Sequence, residues 1–460
     1  MSRSKGGTIP TIVMGTFDPE TRWRDPQLAK LPAMPDRERE SIVLCMDELL
    51  FPFCGPEDIL YSRCRIDPAL LEYLNALDFT FQNRYHFDLT NGTEPLPEPE
   101  IFKQCMFGLA LNQDASQLKE SRLSPYAITA DTGAYLEANP SLVHPLPGLE
   151  TVVRVNSKIY SNQLLNRIGE KCYGTEVNSA AEMVSAGNQL LKQRAYLLKD
   201  PFGVSGKGNL LIDSETMQNR IAEHLSKQER SGLRCHFLLE PLLRKEIDFS
   251  SHWYIDMNGE KKFISVQQMI NHQQNYSGSI TADDVFIRLL ETAGYFRVMD
   301  EALRVLTEDG YYGFVCFDSM ILEDGNIVPI VEINARKSMG LINAYLDRRW
   351  AAHGHTGWLT FLSLGLPLDF TFERLLDALH ASGILLTTEE GYGIVPLSSN
   401  TVIVNEVVAA RRIAEGRQDR RGIAKGRLYA SIVGRNEGHR SVLIGSLRQT
   451  LTDLSIKVYN

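Results

Sequence analysis

Hydrophobic and polar positions change their spacing repeatedly along this chain, and each change predicts an element. Residues 8–15, TIPTIVMG, form a short apolar run closed by glycine, the pattern of a first strand ending in a turn. SIVLCMDELL at 41–50 is nearly continuous in apolar residues and predicts a second strand. IDPALLEYLNAL at 66–77 repeats apolar residues at helical spacing, with Asp67 as cap and Pro68 in the first turn. Together these predict an α/β unit. NGTEPLPEPE at 91–100 is rich in proline and acid and reads as an exposed loop. ETVVRVNSK at 150–158 mixes strand formers with a turn into the next helix, which places a boundary near 145, beside HPLPG.

Beyond that boundary the elements alternate. SKIYSNQLLNRIG reads as helix, RAYLLKD as strand, and 213–228 as a helix capped by Asp213 or Ser214. Apolar runs then follow around CHFLLEPL, SHWYIDMNGEKKFISVQQMI, GYYGFVCFDSMI and NIVPIVEIN. DMNGEKK and ILEDGNIVPI each carry a hairpin turn. Hairpins beside helix–strand units make a mixed pattern rather than a run of regular parallel crossovers. From about 368, FERLLDALHASGI, YGIVPLSS and TVIVNEVVAARRIAEG suggest a small α/β appendage.

Composition narrows the function classes. A length of 460 residues exceeds one ordinary core, so two or three domains are expected. The net charge of -9 disfavours nucleic acid or an anionic membrane as main partner, since both want a basic face. The seven cysteines are scattered without a CxxC, which argues against a disulfide framework or structural zinc site. The N-terminus lacks the apolar core of a secretion signal, and no run of eighteen apolar residues occurs, so cytoplasm is the default expectation.

Chemistry concentrates in an ordered set of segments. In LLKDPFGVSGKGNLLI, 197–212, Lys199 precedes Gly203, Ser205, Gly206, Lys207 and Gly208. Glycines let backbone N–H groups approach a phosphate, and an ammonium adds charge; a plain turn explains the glycines equally well. In LLEPLLRKEIDFS, a strand ending at Glu240 could present backbone to an adenine edge, with Glu246 or Asp248 for ribose hydroxyls. Asp318 ends GFVCFD, while Glu332 and Asn334 lie two apart in IVEIN and so share one strand face. Two carboxylates and an amide oxygen are hard ligands that magnesium accepts together with phosphate oxygens. Arg336 and Lys337 follow, and arginine offers a two-pronged donor set for a carboxylate or acyl phosphate.

YLLKDPFGVSGKG, FLLEPLLRKEIDFS and GFVCFD…IVPIVEINARKSMG resemble, in order, the three signatures of the ATP-grasp superfamily. The resemblance covers about 146–365, and more narrowly the chain resembles the pheganomycin-type peptide ligase branch. It implies an α/β and α+β multidomain protein: an N-terminal α/β pre-ATP-grasp domain at 1–145, a catalytic core of two α+β lobes at 146–365, and a small C-terminal α/β domain at 366–460. It implies ATP and Mg2+, with Mn2+ as substitute. Carried over by position, Lys158 and Lys199 reach ATP phosphates, and Gly203 to Gly208 form the phosphate-covering loop, with Ser205 and Lys207 as contacts. Glu240 lies at the nucleotide hinge, Glu246 or Asp248 at the ribose, and Asp318, Glu332 and Asn334 at the metal. Arg336, with Lys199, acts on the reacting group. Asp318 departs from the glutamate common in the family, and its shorter arm alters reach without changing ligand type.

The implied activity is ATP-dependent carboxylate–amine ligation through an acyl phosphate, fitting natural-product peptide biosynthesis. The partners are a small carboxylate donor and an amine acceptor, amino acid or peptide, with a carrier-protein-bound substrate and a homodimer left open. His252, Trp253, Gln267, Gln268, His272 and Tyr276 are candidates for the acceptor side, each more simply explained as core or surface. The rivals are a small-molecule kinase using the same cleft and a non-catalytic ATP-binding regulatory protein.

Overall fold

A computed structural model describes residues 9–89, 121–139, 146–203, 208–272, 275–414 and 423–460. Near the N-terminus, β1 (Thr11–Met14), β2 (Ile59–Cys64), β3 (Gln82–Phe87) and β4 (Arg122–Pro125) form a parallel sheet in the order β3-β2-β1-β4. The helix Pro68–Ala76 starts as expected, with Asp67 accepting from the Ala69 N–H at 2.9 Å. Residues 41–50 are not a strand. They continue the helix Arg37–Leu44 into a 3-10 helix, Cys45–Phe53. Asp36 caps that helix through the Arg39 N–H, and Glu38 and Glu40 occupy its first turn, so the start signal outweighs the strand preference of the following residues. Residues 150–155 are likewise helical within Leu149–Val155, where Val152 and Val155 are buried three apart on one face.

A second, antiparallel sheet orders β5 (Thr175–Val177), β6 (Tyr196–Lys199), β7 (Asn209–Ile212) and β8 (Phe237–Pro241) as β5-β8-β6-β7. The helices Ala180–Leu191 and Glu215–Arg230 belong to this lobe, and Ser214 caps the second through Met217 N–H. Its core, including Met183, Tyr196, Leu198, Phe237 and Leu239, is separate from the rest.

The third sheet has nine strands. β9 (Lys245–Ile255), β10 (Lys261–His272), β11 (Asn275–Thr281), β12 (Gly313–Leu322) and β13 (Ile327–Asn334) build the larger lobe. β14 (Thr356–Pro367), β15 (Gly393–Pro396), β16 (Ile423–Gly434) and β17 (Lys457–Val458) extend the same sheet, giving β13-β12-β9-β10-β11-β14-β16-β15 with β17 beside β14. β14 pairs with β16 from Thr356↔Gly434 to Pro367↔Ile423, so a boundary at 366 falls inside a strand. One contiguous core joins Phe51 and Leu60, Phe317 and Ile333, and Leu428 and Ile432.

The N-terminal segment also grips the smaller lobe. After the short helix Pro19–Trp23, Arg24 donates to Asp200 at 2.9 Å, and Leu28 bridges to Arg234. Ala29 N–H donates to Arg234 O at 2.8 Å. The Arg24 and Asp200 side chains are only 13% and 8% exposed. Removing one partner strands a buried charge, so Arg24→Ala is expected to lower stability by about 3 kcal/mol. A shift in the urea midpoint at unchanged slope would show it.

Candidate active site

The β12–β13 hairpin builds the reacting end of the cleft. Its register sets Asp318 opposite Glu332 and Cys316 opposite Asn334, and strand periodicity puts all four on one face. Asn334 Nδ2 donates to Asp318 Oδ2 at 2.9 Å. Its Oδ1 accepts from Arg336 Nη2 at 2.9 Å, so the amide orientation is fixed from both ends. Burial, and next the charge of Glu332, raise the Asp318 pKa to about 7.

Beyond Asp318 the two strands shift register, and the residues there are apolar. Met320, Val328 and Ile330 share a cleft with Tyr173, Leu243 and Glu240, and Lys158 also borders it. These apolar side chains lie beside the end of β8 and give the cleft an apolar floor.

Two lysines border the same cleft region, each paired with a carboxylate. Lys158 opens the helix Lys158–Arg167, whose cap Ser157 accepts from Ile159 N–H. Its Nζ donates to Glu332 Oε1 at 2.8 Å and Gly203 O at 2.6 Å, and the residue is 2% exposed. Lys199, at the end of β6, pairs with Glu240 at 2.5 Å. Each ammonium is held by a carboxylate in a cleft, a charge that polyphosphate can share or displace.

The β6–β7 hairpin closes through Asp200 N–H to Gly208 O at 2.6 Å. Gly208 has φ +87°, and a Cβ there would meet the Gly203 Cα at 2.7 Å, so this root admits only glycine without strain. Residues 204–207 lie outside the described residues, and the Ser205, Gly206 and Lys207 assignments with them. Of the two ribose candidates, Glu246 is exposed and Asp248 pairs with Lys245. Neither is chosen by a contact.

Arg336 meets the N-terminal domain. Its Nε donates to Glu20 Oε1 at 2.8 Å, and Nη2 lies 2.7 Å from the same oxygen. Nη1 donates to Tyr126 Oη and to Lys337 O, each at 2.9 Å. Glu20 is buried; desolvation raises its pKa, while the Arg336 charge opposes the rise. Lys337 turns away: its Nζ donates to Ser124 O and Oγ and to Pro125 O at 3.1, 2.9 and 2.6 Å. It pins the N-terminal domain instead of completing a carboxylate clamp with Arg336.

The acceptor candidates divide. His252 is 1% exposed, bonds Ser338 Oγ at 2.9 Å, and burial pushes its pKa down to about 4. Gln267 is fully buried, donating to Thr281 Oγ1 and accepting from Asn343 Nδ2, each at 2.9 Å. Both are core residues here. The His272 and Tyr276 side chains lie outside the described residues.

The acids fit a divalent cation. Among the described residues, no three of His, Cys, Asp and Glu cluster as a metal cage. Magnesium needs none when one or two carboxylates and phosphate oxygens suffice. Two facing carboxylates, one of them driven toward protonation, are the donor set a cation relieves. Above pH 7 Asp318 is a carboxylate; below it a proton competes for the same oxygens. Apparent Mg2+ affinity in the presence of ADP is therefore expected to fall by about tenfold per pH unit below that point. Titration of Mg2+ against ADP-loaded protein from pH 5.5 to 8 checks it, and Asp318→Asn should remove the slope.

No family model matches the chain. A curated relative, the [butirosin acyl-carrier protein]–L-glutamate ligase of Niallia circulans, is 22% identical over 308 residues, 66% of this chain and 67% of the relative. The biotin carboxylase domain of Hydrogenobacter thermophilus 2-oxoglutarate carboxylase, solved with MgADP and bicarbonate, is similar at TM-score 0.52 and 12% identity, covering 98% of this chain and 90% of that one. The ADP complex of the PurK N5-carboxyaminoimidazole ribonucleotide synthetase is similar at TM-score 0.49 and 12% identity, covering 97% and 99%. The chain has the ATP-grasp fold, with two α+β lobes around the cleft.

Sequence reasoning missed Glu20, Tyr126 and Tyr173. It also missed the apolar floor, which Met320, Val328, Ile330 and Val331 build where the strands shift register.

Proposed function

We propose that the protein activates an amino-acid carboxylate with ATP and joins it to an acceptor amine, one of the two substrates being borne on a carrier protein. It is an ATP-dependent carboxylate–amine ligase. The observation that carries the reading is the β12–β13 hairpin, which sets Asp318 against Glu332 with Lys158 and Arg336 at that acidic end and an apolar cleft beyond it. The carrier component is supported by the relative's substrate, an acyl-carrier protein, and by no contact in this chain.

In this reading the apolar floor holds the base and Lys158 and Lys199 hold the phosphates. Asp318 and Glu332, with the Asn334 oxygen if it turns from Arg336, hold Mg2+, which when bound neutralises charge on the transferring phosphoryl group. The donor carboxylate attacks the γ-phosphate, giving an acyl phosphate and ADP. The acceptor nitrogen then attacks the acyl carbon: the C–N bond forms, the C–O bond breaks with its oxygen leaving on phosphate, and the amine proton passes to phosphate or solvent. Arg336 can steady the acyl phosphate through planar paired donors. Positioning and charge neutralisation suffice, so no covalent enzyme intermediate is required.

The test is Mg2+-dependent ADP and phosphate release against amino acids, short peptides and holo-carrier proteins, with mass spectrometry of every product. A species equal to donor plus acceptor minus water supports ligation. A phosphorylated alcohol would assign the cleft to a kinase, and ATP binding without turnover across all pools would leave a regulatory protein.

A further inference from the structure

The Glu20–Arg336 contact is unusual in its use of oxygens. An arginine and a carboxylate commonly pair as two parallel forks, using both oxygens. Here Nε and Nη2 converge on Oε1 alone, at 2.8 and 2.7 Å. Glu20 Oε2 is buried and has no hydrogen-bond partner among the described residues, while the residue is 4% exposed. A buried carboxylate oxygen left unmatched is costly, and each such oxygen in a folded protein calls for a reason. A pair that served only to staple two domains would gain by taking the fork arrangement, which Arg336 forgoes.

The position supplies a reason. Glu20 opens the helix Pro19–Trp23 of the N-terminal domain and reaches the guanidinium that also binds Asn334 at the acidic row. Glu332 is close enough for its charge to act on Glu20. Lys158 takes Glu332 Oε1 and Asn334 takes Asp318 Oδ2, whereas Glu20 Oε2 is a buried carboxylate oxygen with no hydrogen-bond partner among the described residues. Every nitrogen of Arg336 already has an acceptor, so a substrate carboxyl group meets it only by displacing one of them, and a cationic group on the same substrate or its co-substrate then satisfies the Glu20 anion. An ammonium offers three donors on a compact charge, one of which an unmatched carboxylate oxygen accepts.

We propose that Glu20 Oε2 anchors the ammonium group of an amino-acid or peptide substrate beside Arg336. This rests on the ligase reading and adds a specificity residue, contributed by the N-terminal domain, to the site formed by the two lobes. The ammonium can come from the carboxylate donor or from the acceptor before it loses its proton, and the two sources are separable.

Hydroxylamine replaces the acceptor and traps acyl phosphate as a hydroxamate, so it reads donor use alone. The twenty proteinogenic L-amino acids are assayed singly as donors with hydroxylamine, then in pairs with the best donor fixed, on wild type, Glu20→Gln and Glu20→Asp. Glutamine keeps an oxygen for Arg336 and removes the charge; aspartate keeps the charge. With Glu20→Gln, KM for the amino acid is expected to rise about tenfold or more, the usual loss for a charge-assisted hydrogen bond. KM for ATP stays unchanged, and Glu20→Asp recovers part of the loss. A rise in the hydroxylamine arm gives the ammonium to the donor, and a rise confined to the paired arm gives it to the acceptor. Hydroxamate formed by wild type with both KM values unchanged in Glu20→Gln overturns the proposal, as does a fall in kcat alone with a lowered melting temperature, the mark of a domain staple. Wild type yielding no hydroxamate and no amide with any amino acid, supplied free and on holo-carrier protein, overturns the amino-acid ligase reading and this proposal together.

Discussion

Glu332→Gln is expected to cut Mg2+-dependent ADP release by about 100- to 1,000-fold, the range seen when one preorganised charge-stabilising group is lost. The substitution preserves shape and removes charge from the acid that faces Asp318 and receives Lys158 at 2.8 Å. Two functions fail together, because the metal loses a carboxylate and the Lys158 ammonium, 2% exposed, faces a neutral oxygen. Nucleotide affinity measured without metal should change little, since the apolar floor and Lys199 are untouched. ADP release at saturating Mg2+, beside a melting curve, separates lost chemistry from lost folding. Turnover within threefold of wild type would remove Glu332 from the reacting end.

Arg336→Lys is expected to lower kcat by about 100-fold while leaving the ADP dissociation constant within about threefold of wild type. Guanidinium nitrogens here reach Glu20, Tyr126, Asn334 and the Lys337 carbonyl in one plane-directed set. A lysine ammonium on a flexible stem cannot span those positions and present paired donors to a carboxylate. The same change loosens the N-terminal domain, so the melting temperature should fall too. Normal kcat with a lowered melting temperature would make Arg336 a structural tie.

The acidic row was legible because strand periodicity is local: Glu332 and Asn334 two apart must share a face, and the register only had to bring Asp318 opposite. That logic stops at the register shift beyond Asp318, so the apolar floor was not legible by alternation. Glu20 was not legible. It lies 316 residues from Arg336 and sits in a short segment whose own pattern announces only a turn and a helix start. The helix at 41–50 was misread because nearly continuous apolar residues have no period, and the deciding information lay upstream in Asp36, Glu38 and Glu40. The 366 boundary followed a change in pattern, whereas the β14–β16 ladder that carries the sheet onward is a pairing of residues far apart in sequence, which no local pattern reports.

The central claim is that ATP activates a carboxylate as an acyl phosphate. Its most direct test uses the donor found in the product assay, with 18O in its carboxylate, and mass spectrometry of the phosphate released during a single turnover with Mg2+. The account predicts ADP together with phosphate carrying one 18O from the donor, because the carboxylate oxygen that attacks phosphorus leaves with it when the amide forms. Unlabelled phosphate, or label recovered in AMP, would contradict it.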